Sequence, residues 1–356
     1  MSGEMKVGTT VLLAALLLAG CAGPKLAPTL APAGQAKVWP DPPETARYAY
    51  AGTLIGENDF TTDTAATSRN TALKIAEFIT GALFGQAAPV ELQRPVAGTV
   101  DAEGRVYVAD MGQQAVMVFD MPAKKFLRWS QATDEQDFAA PSGVALDGKG
   151  GLYVTDTNLG VVVHLDRAGK PLGTFGAGEM ARPTGIARDP RTGRLYVTDT
   201  ARHKVLIFSP EEKLVDTIGA RGHDAYEFNF PTHIAIAGDR LYVADTLNFR
   251  IQVFSLEGDG KQAFGQIGLT VGNMARPKGV AVGGDGRVYV VESYYDHLLV
   301  FDPQGRFLLP IGGTGKEDGQ FYLPAGVWTD AQNRVYVADM FNGRVAVFKE
   351  LTQGME

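Results

Sequence analysis

The chain has 356 residues, 45% of them hydrophobic and 21% charged, with a net charge of −7 at pH 7. That is ample for a large core, and the acidic balance argues against nucleic acid, whose phosphates call for a basic face. The lone cysteine, Cys21, excludes an intrachain disulfide and a cysteine zinc site.

At the amino terminus Lys6 precedes an apolar run from Val7 to Gly20, closing in Leu18-Ala19-Gly20-Cys21. The run is short of the about 20 residues that cross a bilayer, and it fits the core of a signal peptide. Its end resembles a bacterial lipobox, which implies that Cys21 carries lipid and becomes the mature first residue. An ordinary signal peptide with an incidental cysteine is the alternative. Ala22 comes next, not Asp, which in Gram-negative lipoproteins of this kind implies the outer membrane. Residues 1–21 are therefore expected to be a leader and the protein to be lipid-anchored in the cell envelope. Residues 22–46, with Pro24, Pro28, Pro32, Pro40, Pro42 and Pro43, read as a tether that cannot bury a core.

The folded body is expected over 47–350. It begins with a strand-like stretch, Arg47 to Gly56. Residues 67–85 then place Ala72, Leu73, Ile75, Ala76, Phe78, Ile79, Leu83 and Phe84 near helical spacing. They predict one short amphipathic helix, either capping an end of the body or facing a membrane or partner.

From residue 94 one pattern recurs. A Pro-x-Gly-Val-Ala-like run is followed by a run such as Val106-Tyr107-Val108-Ala109-Asp110, then by an apolar run ending in Val-Phe. The terminal acids Asp110, Asp156, Asp199, Asp245, Glu292 and Asp339 lie 46, 43, 46, 47 and 47 residues apart. A period of this length with several β-branched strands per unit marks propeller blades. The expected fold is all-β, a six-bladed β-propeller. The sixth unit lacks a fourth strand, and the stretch from Arg47 supplies it, closing the ring and covering two sheet edges.

The repeats resemble NHL repeats, most closely from Phe230-Pro231-Thr232-His233-Ile234-Ala235 through Asp245 to Phe254. The stretch Val38-Trp39-Pro40-Asp41-Pro42-Pro43-Glu44, with the strand and helix segments after it, is similar to the front end of a group of bacterial propeller lipoproteins. The resemblance implies an NHL-type ring over nearly the whole mature chain, and no agreed activity. NHL propellers elsewhere are platforms for protein or RNA, and related rings include metal-dependent lyases and lactonases.

The terminal acids are expected to cap turns through backbone N–H groups and not to bind calcium. Among the histidines, His164 falls in a third strand, and His297 and His203 fall on repeat positions. Only His223 and His233 belong to one connection, where they stand at the same end of the ring; two ligands make a poor zinc site. The first strands offer no Glu, Asp or Asn of the kind lactonase-like enzymes use, and one histidine where amidating lyases use several. Neither a metal nor a cofactor is expected, and no catalytic residue is assigned. Arg94, Arg182 and Arg276 precede the prolines of blades one, three and five, placing guanidinium groups at three points around one mouth. Such forks suit an anionic ligand or an acidic partner segment; covering the next blade or pairing with a local acid is the plainer role. Tyr294, Tyr295, Phe249 and Phe341 lie in nearby turns and are of a type favoured as interface anchors. The expected function is a non-enzymatic binding or scaffold lipoprotein with a protein partner and no nucleic acid. A metal-dependent hydrolase or lyase at the channel mouth is the alternative.

Overall fold

The computed structural model describes residues 37–60 and 88–351. The leader with Cys21, the tether up to residue 36 and the expected helix at 67–85 lie outside the described residues. Among those described, six antiparallel sheets are arranged as the blades of a propeller, five four-stranded and one five-stranded.

The second strand of each blade is apolar on both faces, because each blade is covered by a neighbour on either side. Val106, Tyr107, Val108 and Ala109 are all at most 2% exposed. The outermost strands are mostly open to solvent instead, as in Lys125–Trp129, where only Trp129 is buried. The core consequently sits between blades. One cluster joins Ala145, Tyr153 and Val162 of blade two to Ile186, Val197, Leu206 and Phe208 of blade three. Burial at about 25 cal/mol per Å² of apolar surface makes these seams the main stabilising term.

The ring closes as its missing strand requires. Tyr48–Leu54 pairs antiparallel with Arg344–Glu350, from Tyr48 opposite Glu350 to Leu54 opposite Val345. Val38–Trp39 then adds a fifth strand against Tyr48 and Ala49, so the folded body starts upstream of residue 47, inside the stretch read from composition as tether. The reason is Trp39, whose ring packs edge-on at 5.4 Å from Phe348 and outweighs the prolines around it. Tyr48 also reaches blade five, with its hydroxyl 3.1 Å from that of Tyr289 and accepting from Arg287.

Each terminal acid is buried, at most 1% exposed, and each is consumed by the backbone. Asp156 accepts from the N–H groups of Ala139 and Ala140, just before its blade's first strand, and from Asn158 and Leu159 in the turn after it. Asp110 does the same with Gln93, Arg94, Gly112 and Gln113. In blades four and six part of the turn is replaced by side chains: Asp245 binds Asn248 and Arg250, and Asp339 binds Asn342 and Arg344. Burial raises both of these carboxyls above their ordinary value despite the arginines. The residue before each third strand is left-handed in all six blades: Gln114, Gly160, His203, Phe249, Asp296 and Gly343.

Replacing Asp156 by Ala strands four N–H donors at once. Urea unfolding should show a loss of about 2–4 kcal/mol, and a loss below about 1 kcal/mol would show that water replaces the carboxylate freely.

Candidate functional site

The first strand of each of blades one to five starts with proline, and its pairing register shifts immediately after that residue. Proline has no N–H to lose there, and the irregularity turns the next two residues towards the channel. These two positions build the site.

The first of them reads Val96, Ser142, Thr184, Thr232, Lys278 and Ala325 around the ring. These residues line a cavity of about 500 Å³ at the mouth where the first strands begin. Blades two to four supply hydroxyls, and each is tied to the carbonyls of the next blade. Thr157 donates to Pro183 at 2.8 Å, Thr200 to Pro231 at 2.6 Å and Thr232 to Lys278 at 2.9 Å. Blades one and six have Met111 and Met340 in place of these threonines, so that side of the ring is apolar.

Lys278 stands alone as a charge in this inner layer. It is half-buried, and Arg182 and Arg276 line the same cavity with it. No Asp or Glu lines this cavity, and among the described residues neither Lys278 nor Arg94, Arg182 or Arg276 forms a side-chain ion pair. Burial, and then Arg276, Arg94 and Arg182, hold the Lys278 ammonium below its ordinary pKa.

The second position carries Ala97, Gly143, Gly185, Gly279 and Gly326 in five blades, and His233 in blade four. Small residues are needed because the next blade's carbonyl lies against them: a Cβ on Gly143 would come within 2.2 Å of the Thr184 oxygen. His233 instead turns its ring across the channel. Its Nδ1 is 3.0 Å from the Lys278 carbonyl and its Nε2 is 3.2 Å from the Val96 carbonyl on the far side. The imidazole lines both the upper cavity and a smaller one at the other mouth, and so partitions the channel. A neutral ring donates one N–H and can satisfy only one of the two carbonyls. Burial first, and then the charge of Lys278, push its pKa down to about 4.

The other residues singled out in the sequence divide clearly. Arg182 and Arg276 reach the cavity, whereas the Arg94 guanidinium lies 5.9 Å above the ring of Phe341 on the neighbouring blade, the covering role. His223 is exposed and bonded to Asn248, so the structure gives it and His233 separate partners. Tyr294 and Tyr295 pack edge-on at 4.9 Å beside a different depression, near Leu269 and Val271. Tyr294 is 61% exposed and Phe341 52%. Phe249 occupies the left-handed turn position described above, half-buried. His164 sits between Asp147 and Glu212 at the seam of blades two and three, and His203 accepts from the Phe230 N–H. Among the described residues no three His, Cys, Asp or Glu side chains are grouped as a metal set. Lys278 and the threonine belt were not singled out from sequence; the signal was a lysine in a position otherwise small, hydroxylated or aliphatic.

A family model described as a 6-bladed beta-propeller matches residues 189–269. NHL repeat-containing protein 3 of Homo sapiens is 28% identical over 144 residues, which is 37% of this chain and 40% of that protein. The chain thus aligns with well under two thirds of that relative's length. Virginiamycin B lyase from Staphylococcus aureus superposes with a TM-score of 0.54 at 15% identity, covering 73% of this chain and 96% of the lyase. A gluconolactonase from Xanthomonas campestris gives 0.56 at 15% identity, covering 74% and 90%. At such identities the likeness to the solved structures is one of fold. The six sheets and these matches make the protein a six-bladed β-propeller. Its repeats are similar to those of NHL repeat proteins.

His233 predicts a pH dependence. Its pKa is about 4 in the fold and about 6.5 when unfolded, so the unfolded state binds the proton first. The native state should lose on the order of 2 kcal/mol between pH 7 and pH 4.5 through this group. Urea unfolding of wild type and His233→Gln at both pH values should show the difference move in favour of the variant by that amount; a constant difference would refute it.

Proposed function

We propose that this protein is a lipid-anchored component of the cell envelope, held at the outer membrane through Cys21, and that its propeller binds a partner instead of catalysing a reaction. The observation that carries the binding reading is the uncompensated positive charge at one mouth. Lys278, Arg182 and Arg276 converge on a cavity without a carboxylate, and Arg94 stands near them. Cations held this way, on a chain of net charge −7, favour an anionic group supplied from outside. The strand-end carboxylates are all committed to backbone or side-chain donors inside their own blades, which leaves a hydrolase or lyase little to work with at this mouth. Phe341, exposed beneath Arg94, and Tyr294, exposed beside a separate depression, suit a protein partner. The relative among human NHL proteins supports the family and not a particular partner.

Changing Arg94, Arg182 and Arg276 together to Gln should cut recovery of the partner from native membranes about tenfold or more, as loss of interface arginines does. The melting temperature should move by less than about 3 °C, since the side chains are exposed. Undiminished recovery would overturn the reading. For the anchor, Cys21→Ser should abolish lipid labelling and move the protein to the soluble fraction; an unlabelled protein that stays with the membrane would rule the anchor out.

A further inference from the structure

We propose that the upper cavity is a binding site for a small amphiphilic carboxylate, a single carboxylate head on an apolar chain; this deepens the binding reading above and rests on it. Three features of the cavity set the chemistry of the occupant.

The first is the number of free donors. The hydroxyls of Thr157, Thr184, Thr200 and Thr232 already give their protons to carbonyls of the neighbouring blade. At depth this leaves the Lys278 ammonium as the uncommitted donor, with the guanidiniums of Arg182 and Arg276 at the rim. At depth the three N–H donors of one ammonium match a single carboxylate, whereas a phosphate seated there would leave oxygens without donors, because Arg182 and Arg276 stand at the rim.

The second is the wall. Val96, Met111 and Ala325 on blades one and six make one side apolar, and Phe230 and Leu247 of blade four face it from across the rim, 38% and 40% exposed. Aliphatic chain lying there removes apolar surface from water on both partners. A small inorganic anion would leave this wall bare.

The third is the floor. His233 bridges from blade five to blade one and closes the channel below the cavity. A ligand must therefore enter and leave by the same mouth, with its head beside Lys278 and its chain running outward along the apolar side. The volume, about 500 Å³, falls within the range of small-molecule pockets.

Isothermal titration of the mature chain with sodium octanoate at pH 7 tests this. One octanoate should bind per chain. Octanamide, with the same tail and no charge, and acetate, with the same head and no tail, should each bind at least about tenfold more weakly, the penalty of removing a charge contact or an apolar chain. Lys278→Met should weaken octanoate binding at least about tenfold, with a melting temperature no lower than wild type, because it removes an uncompensated cation. If that variant does not fold, the comparison of octanoate with octanamide on the wild type decides alone. Equal affinity for those two, inorganic phosphate competing as well as octanoate, or unchanged affinity in a folded Lys278→Met would overturn the site. Wild type that captures its partner through the arginines but ignores octanoate overturns this site alone. A chain that binds octanoate and captures no partner supports this site and overturns the protein-binding reading.

Discussion

At the end of every second strand a buried carboxylate joins two stretches of chain that are otherwise about 16 residues apart, the turn beside it and the segment entering the same blade. Burying six ionised groups in a β-rich core carries a large desolvation cost. It is offset because each oxygen pair receives several N–H donors at hydrogen-bond distance, the arrangement that best holds a buried charge. The entry of the first strand is fixed by the same contact, since Arg94, Ala140, Arg182 and Arg276 all donate their backbone N–H to it. Arg182 and Arg276 reach the mouth, and Arg94 lies over Phe341, each from a main chain nailed down beneath it.

On this sixfold frame, function has to reside in what breaks the repetition. Two adjacent positions after the prolines carry most of the breaks. The outer one divides the ring into a hydroxylated arc over blades two to four and an apolar arc over blades six and one, with Lys278 between them. The inner one is glycine or alanine except in blade four, where His233 takes up the width of the channel. The hydroxyl belt has a structural consequence as well: it stitches blades two to five together along the mouth and spends the protons that would otherwise make the mouth a good site for a highly charged anion.

Closure of the ring explains why this asymmetry can be held in place. The strand Tyr48–Leu54 and the short strand before it cover the edge of blade six with Trp39, Tyr50 and Phe348 packed together. Tyr48, Tyr289 and Arg287 then tie that blade to blade five across the seam. A ring so locked offers few ways for the blades to shear, and the cations at its mouth stay in one arrangement without a local counter-ion.

The repeat period, the strand pattern and the missing fourth strand are one-dimensional facts, and they were sufficient to read an all-β ring of six blades closed by an N-terminal strand, because each blade obeys local rules of alternation and turn chemistry. The capping role of the strand-end acids was legible for the same reason. Three things were not. Trp39 joined the ring from a proline-rich stretch because a single aromatic contact across the chain outweighs composition. Arg94 separated from Arg182 and Arg276 because the side chain on the next blade, Phe341, decides where a guanidinium lies. His233 met Val96 across the channel, beside Lys278 of the next blade, because a ring brings blades one, four and five to one axis, and no spacing along the chain encodes distance across it.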